Sequence, residues 1–283
     1  MNAGSAAAAA RPGRALLAVA LLAAALIARA ATPVAFVADV KGDATLEGAN
    51  RLAFLAELAP GARLTLAAGA VATIVFAESG AEFAAKGPGE FVVEAAGLKA
   101  AKGPAPARRQ MAATASPAVV ARVSQSATAS LRMRGVTPAP AVKPGPAYPV
   151  DASIATLQPV LRWNGDPAIE YRVSVIAADG REAWKGSARA NSIRVAAKLA
   201  PAARYTWNIS VGGRSSAEAY FETLPAAAIA KAEKSRSGAR GFSDRVLHAF
   251  VLQDLGAAQD AREAWAALAR ERPDLPELAV LAR

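Results

Sequence analysis

The sequence predicts a mainly β protein: two small antiparallel β modules, a roll or sandwich and then a sandwich, followed by a short α-helical hairpin. Three observations carry this expectation. From Val34 to Thr223, apolar residues recur in short runs with two-residue alternation, separated by Gly, Pro and Asp turn signals. A stretch rich in Ala, Pro, Gly and Ser interrupts that pattern midway. After Pro225 the apolar period lengthens to that of a helix. The expected division is a signal peptide (1–30), a first β module (31–98), a basic linker (99–149), a second β module (150–224) and a helical tail (225–283).

The first thirty residues read as an address. Arg11 and Arg14 precede an uninterrupted apolar stretch, Ala15–Ala28, and no acid occurs before Asp39. Ala28-Arg29-Ala30 then offers a small-x-small cleavage site between Ala30 and Ala31. As a helix the apolar stretch spans about 21 Å, short of a hydrocarbon core of about 30 Å. A cleaved secretory signal and a periplasmic or extracytoplasmic location are therefore expected, with an uncleaved inner-membrane anchor as the alternative. The chain has no cysteine, which excludes lipoprotein modification, thiol catalysis and thiolate metal sites.

The formal charge of +10 is informative once it is divided along the chain. Residues 31–98 hold four basic and eight acidic side chains, a net −4, whereas residues 99–149 hold eight basic and no acidic ones. Residues 150–224 and 225–283 come to +2 and +1. The basic stretch has no aromatic residue before Tyr148, so it lacks the stacking groups of a nucleic-acid site, and no nucleic-acid partner is expected. Its plain reading is a solvated, self-repelling spacer. The sharper reading is contact with an anionic membrane surface or glycan, at most about 1 kcal/mol per cation and screened by salt.

Within the first module, Leu64 and Leu66 alternate with Arg63 and Thr65, placing one face in a core and the other in water. Turn signals at Pro60-Gly61, Gly69, Ser79-Gly80 and Gly87-Pro88-Gly89 separate the runs. The runs Leu58-x-Pro60-Gly61-x-x-Leu64-x-Leu66, Gly69-x-Val71-Ala72-x-Ile74-x-Phe76, Ser79-Gly80-x-x-Phe83 and Gly87-Pro88-Gly89-x-Phe91-x-Val93 resemble the FecR-like domain of bacterial envelope proteins. That resemblance implies a periplasmic role in sensing, scaffolding or surface assembly. Members of the family that signal to a sigma factor do so through a cytoplasmic segment. Here only Met1–Arg14 precede the apolar run, so a membrane-anchored regulator of that kind is the disfavoured alternative.

In the second module Tyr171, Val173 and Val175 alternate with polar residues, as do Tyr205, Trp207, Ile209 and Val211. Asp179-Gly180 and Gly212-Gly213 read as hairpin turns. Pro159-x-Leu161-x-Trp163 and Leu199-x-Pro201-x-x-x-Tyr205-x-Trp207 resemble a fibronectin type III or immunoglobulin-like domain, the second motif matching its tyrosine corner. That resemblance implies a spacer or adhesion module. Trp163, Tyr205 and Trp207 read as core, and Trp184, beside a turn, as the freest aromatic and a candidate partner contact.

In the tail, Ser243 is placed to cap a helix carrying Leu247, Phe250, Val251 and Leu255, which ends at Gly256. A second helix carries Ala258, Ala261, Trp265 and Leu268 and stops at Pro273. Ala249, Gly256, Ala261, Trp265 and Pro273 resemble one tetratricopeptide-type hairpin, although Arg245 and His248 stand where that motif has tryptophan and leucine. A lone hairpin must hide its apolar face, so Phe250 and Trp265 are candidates either for an intermolecular contact, including oligomerisation, or for docking within the chain.

No enzymatic site is expected. His248, the only histidine, reads as a helix-face residue, and no dinucleotide, phosphate-loop or metal spacing occurs, so no cofactor or metal is expected. Glu90 and Glu94, or Glu78 and Glu82, could pair as carboxylates, but Glu90 and Glu94 on one strand would lie about 13 Å apart, too far for glycosidic acid–base chemistry, and a solvated edge is the expected reading. The expected function is a non-enzymatic envelope interaction or scaffold protein; the alternative is a glycan- or surface-binding module using the acidic first module and Trp184.

Overall fold

Ten strands build the first module: β1 (Ala35–Lys41), β2 (Ala44–Leu46), β3 (Asn50–Arg51), β4 (Glu57–Leu58), β5 (Arg63–Leu66), β6 (Val71–Phe76), β7 (Ala81–Lys86), β8 (Gly89–Val93), β9 (Leu98–Lys102) and β10 (Ala107–Gln110). They come from a computed structural model that describes residues 32–132, 145–215 and 218–283. The strands form two five-stranded antiparallel sheets, β10-β7-β6-β1-β4 and β3-β2-β5-β8-β9. Leu64, Leu66, Ile74, Phe76, Phe91 and Val93 meet between them. In β5, Arg63 and Thr65 are exposed, as the alternation requires. At Gly87 the chain passes so close to β5 that an added Cβ would sit 1.9 Å from the Ala67 carbonyl oxygen, a spacing only glycine tolerates.

One sheet is covered on both faces. Ala35–Ala38 is buried throughout; Val37 joins the core between the sheets, while Phe36 and Ala38 join a separate core with Val75, Ala77 and a group of helices. The unbroken Ala35-Phe36-Val37-Ala38 run is the sequence mark of a strand with no wet face.

The stretch read as a linker is corrected over most of its length. Lys99–Lys102 completes β9, Ala107–Gln110 pairs with β7, and Pro117–Arg132 is a helix, α1. Its Val119, Val120, Val123 and Ala127 recur at helical spacing and enter the helical core, and Pro117 occupies the first helical position, where its missing N–H costs nothing. The alternation of Leu131-Arg132-Met133-Arg134-Gly135 reads as a lone edge strand, but Leu131 and Arg132 are the end of α1, and the remainder lies outside the described residues.

The second module begins earlier than expected, at β11 (Gly145–Tyr148). It continues through β12 (Ala152–Ile154), β13 (Val160–Asn164), β14 (Tyr171–Ala177), β15 (Glu182–Ala188), β16 (Ser192–Arg194), β17 (Arg204–Val211), β18 (Arg214–Ser215) and β19 (Ala219–Thr223). A three-stranded sheet, β11-β13-β16, faces a six-stranded one, β12-β19-β17-β14-β15 with β18 on β17. Leu161, Trp163, Tyr171, Val173, Trp207 and Phe221 fill the space between. The Tyr205 hydroxyl accepts the Ala200 N–H at 2.9 Å, so the ring is buried while its oxygen caps the chain entering β17. The Trp207 indole N–H donates to the Pro149 carbonyl at 2.7 Å. Both expected hairpin turns form, with positive φ at Gly180, Gly212 and Gly213.

The tail is larger than the expected hairpin. It holds α2 (Ala226–Ser237), α3 (Phe242–Asp254), α4 (Ala258–Glu271) and α5 (Pro276–Leu281), and α1 packs with them. Ser243 does not cap α3. The cap is made by the Asp244 carboxylate, which accepts the Gly241 N–H at 2.8 Å and the Arg240 N–H at 3.1 Å. Gly256, at φ +78°, ends α3 as expected. Pro33–Arg283 forms one compact unit in which the helices pack on both modules.

Candidate functional site

The residues singled out from the sequence are mostly structural. Phe250 and Trp265 are both fully buried. The Phe250 ring stands edge-on to Phe36 of β1 and to Trp265, with both centroids 5.3 Å away. The stripe docks on the first module, so the intermolecular contact proposed for it is corrected. Burying the outer face of a sheet and the inner face of a helix pair together hides both. Trp184 is half-buried against the second core, and Tyr220, 49% exposed, is the freer aromatic. Trp184 pairs across from Val175 on the inner side of its sheet, and a Cβ added at Gly186 would come within 2.7 Å of its ring and 3.1 Å of Ile193. Ala30 and Ala31, the expected cleavage site, lie outside the described residues.

The carboxylates are likewise engaged. Glu90 pairs with Lys102 at 2.7 Å. Glu82 accepts from both Arg109 and Ser243, and Arg109 reaches Asp244 at 2.8 Å, tying β7 and β10 to α3. Arg272 makes the matching tie at the other end, to Asp39 of β1 and to Asp274, with its guanidinium over Phe242.

His248 is held in place from α2. Its Nδ1 lies 2.6 Å from Ser235 Oγ, whose hydroxyl also lies 2.8 Å from the Ala232 carbonyl. One proton arrangement satisfies both contacts: Ser235 donates to the carbonyl and accepts from the ring. Burial, reinforced by the nearby Arg236 charge, lowers the His248 pKa and keeps the ring neutral. Ser235 is itself buried, with its proton committed to the helix backbone, which is unlike an activated nucleophile.

A polar groove lies between the β11-β13-β16 sheet and the helices. Alternation along β13 turns Val160, Arg162 and Asn164 away from the sandwich core and toward α4. At mid-groove, Tyr148 donates its hydroxyl to Asp260, whose other oxygen accepts the Ala155 N–H at 2.7 Å. The Arg162 guanidinium lies 4.4 Å from the centre of the Tyr148 ring and pairs with Glu263. Gln259 accepts the Val150 N–H at 3.0 Å. Burial raises the Asp260 pKa against the opposing pull of Tyr148, the Ala155 amide and Arg162. Burial and the Asp260 charge both push the Tyr148 pKa up. Asp260 in the first turn of α4 also meets the positive end of that helix.

This bridge divides the groove into two clefts that share Tyr148, Arg162 and Glu263. The larger, about 730 Å³, has Gln158 and Arg194 on its sheet wall and Glu233, Arg236, Arg245 and His248 on its helix wall. Arg236 and Arg245 pair with Glu233 and Glu271, at 2.8 and 2.6 Å. Arg194 contacts the Gln158 carbonyl at 3.3 Å. The smaller cleft, about 580 Å³, lies between Trp163, Asn164 and Asn191 of the sandwich and Gln259, Arg262 and Glu263 of α4. None of these groove roles was read from the sequence. The outward position of Arg162 follows from the Leu161-x-Trp163 alternation, but which helix covers it is a long-range fact that no local pattern encodes.

No protein-family model matches the chain, and no curated protein matches it either. Among solved structures, the fibronectin type III domain of the human collagen α-1(XX) chain is similar at 23% identity, over 33% of this chain and 90% of that one, with a TM-score of 0.24. The account of the second module rests on its own strand order and hydrogen bonds.

Proposed function

We propose that this chain is a non-catalytic binding protein of the cell envelope that holds an envelope partner, protein or glycan, in the groove between its second sandwich and its helices. The observation that carries the reading is the pair of polar clefts on either side of the Tyr148–Asp260 bridge. Concave sites where two structural units meet are the common place for ligands. Phe250 and Trp265 are buried within the fold, which favours a contact surface elsewhere, such as this groove. The envelope location rests on the signal-like residues 1–30, and the FecR-like, fibronectin-like and tetratricopeptide-like resemblances of the three parts agree with an interaction role.

A photo-crosslinking residue at Arg194, in the groove, and another at Ser174, on the opposite sheet, test the proposal in bacteria expressing the full chain. Adducts with envelope protein or glycan are expected from position 194 only. Equal yields from both positions, or adducts with cytoplasmic proteins, would refute it.

A further inference from the structure

Charge in the smaller cleft is uneven. Arg162, Arg262 and Arg283 line it against a single carboxylate side chain, Glu263, which Arg162 already pairs with. Counting a terminal carboxylate at Arg283 still leaves the lining positive. Among the described residues Arg262 pairs with no carboxylate side chain. It donates to the Arg283 main-chain oxygen at 3.3 Å, a contact that uses one of the five N–H groups of a guanidinium. Gln259 lies three residues earlier in α4, so the two side chains are neighbours on one helix face. The Gln259 oxygen accepts the Val150 N–H at 3.0 Å, which leaves the amide N–H groups as the end able to donate. A charged donor and a neutral donor side by side in a positive cleft are what an oxyanion takes.

We propose that the smaller cleft takes an acidic side chain of a partner protein, whose carboxylate accepts from Arg262 and from the Gln259 amide. This rests on the binding role proposed for the groove and names the chemistry of the partner at one end of it. The surplus of positive charge favours the approach of an acidic segment, and guanidinium on carboxylate is a charge-assisted, directional contact. An acidic glycan is the less suited source of the carboxylate, because a sugar ring packs its C–H face on an open aromatic. The Trp163 ring lies in the sandwich core, and the half-buried Tyr148 ring has the Arg162 guanidinium over it and its hydroxyl held by Asp260. Ala147, Ala266 and Ala282 supply instead a small apolar lining for the aliphatic stem of an Asp or Glu and its neighbours.

The full chain is screened on an array of random octapeptides, and the peptides it binds are re-measured in solution by fluorescence polarisation. Bound peptides are expected to be enriched in Asp and Glu, and Arg262→Gln is expected to weaken them about tenfold. Arg262→Glu should turn the enrichment toward Lys and Arg, a reversal that a loss of folding cannot produce. Arg270→Gln, on α4 but outside the cleft, should bind as the wild type does. No bound peptide, no enrichment in acids, or an acid preference that persists in Arg262→Glu overturns the proposal. So does a uronic-acid oligosaccharide that binds through Arg262 where the acidic peptides do not. Each of these results leaves the crosslinking test at position 194, in the other cleft, standing, so the two proposals fail separately.

Discussion

Arg109 shows how much one side chain can decide. The notional linker supplies it, β10 presents it, and two buried carboxylates, Glu82 and Asp244, depend on it. Its own side chain is 38% exposed, which screens part of the attraction. Arg109→Ala removes the cation that both carboxylates share, leaving them only neutral donors, and should cost about 2–3 kcal/mol, measured as a lowered midpoint in chemical denaturation. Arg109→Lys should recover only part of this, because an ammonium cannot fork to two carboxylates. A loss below about 0.5 kcal/mol in the alanine variant would show that water already screens the cluster. Local sequence marked Arg109 only as one more linker cation. Its partners stand 27 and 135 residues away, beyond any periodicity argument.

At the scale of elements, α2 and α3 are joined by the Ser235–His248 contact, which makes their pairing sensitive to acid. His248 has a lowered pKa in the folded chain, so the unfolded chain takes up a proton first as pH falls. The stability due to the neutral ring is complete above about pH 6.5 and is lost on acidification. Asp260 acts in the opposite sense: burial raises its pKa in the folded chain, so its ionisation there costs stability as pH rises. His248 is the only histidine, so the difference between wild type and His248→Gln isolates the imidazole. The wild-type denaturation midpoint should fall from about pH 7 to 5 more steeply than that of the variant. Parallel curves would remove the imidazole from the account. The elements themselves were largely legible. Alternation located the strands of the second module, and Gly256 and Pro273 bounded the helices. The cap was misassigned because Ser243 and Asp244 are adjacent and both can cap; Ser243 is instead drawn to Glu82 on the first module.

For the whole molecule, the helices form a third layer on the first sandwich as well as a wall of the groove. Deleting residues 226–283 uncovers Phe36, Ala38, Phe54 and Val75 together. The shortened chain should bind a hydrophobic dye and lose near-ultraviolet circular dichroism, because α1 is the one helix left to cover that apolar face. A cooperative, dye-free monomer would contradict the third layer. Sequence alone determined the β and α periods, the turns, the inward positions of Trp163 and Trp207 and the excess charge of residues 99–149, because each can be read from a few neighbouring residues. Only the tertiary structure decided that Phe250 and Trp265 face inward onto β1, that half the linker is folded, and that Arg162 and Asp260 meet across a groove. Those outcomes depend on which surfaces bury each other, a competition among distant segments that burial and long-range pairing settle together.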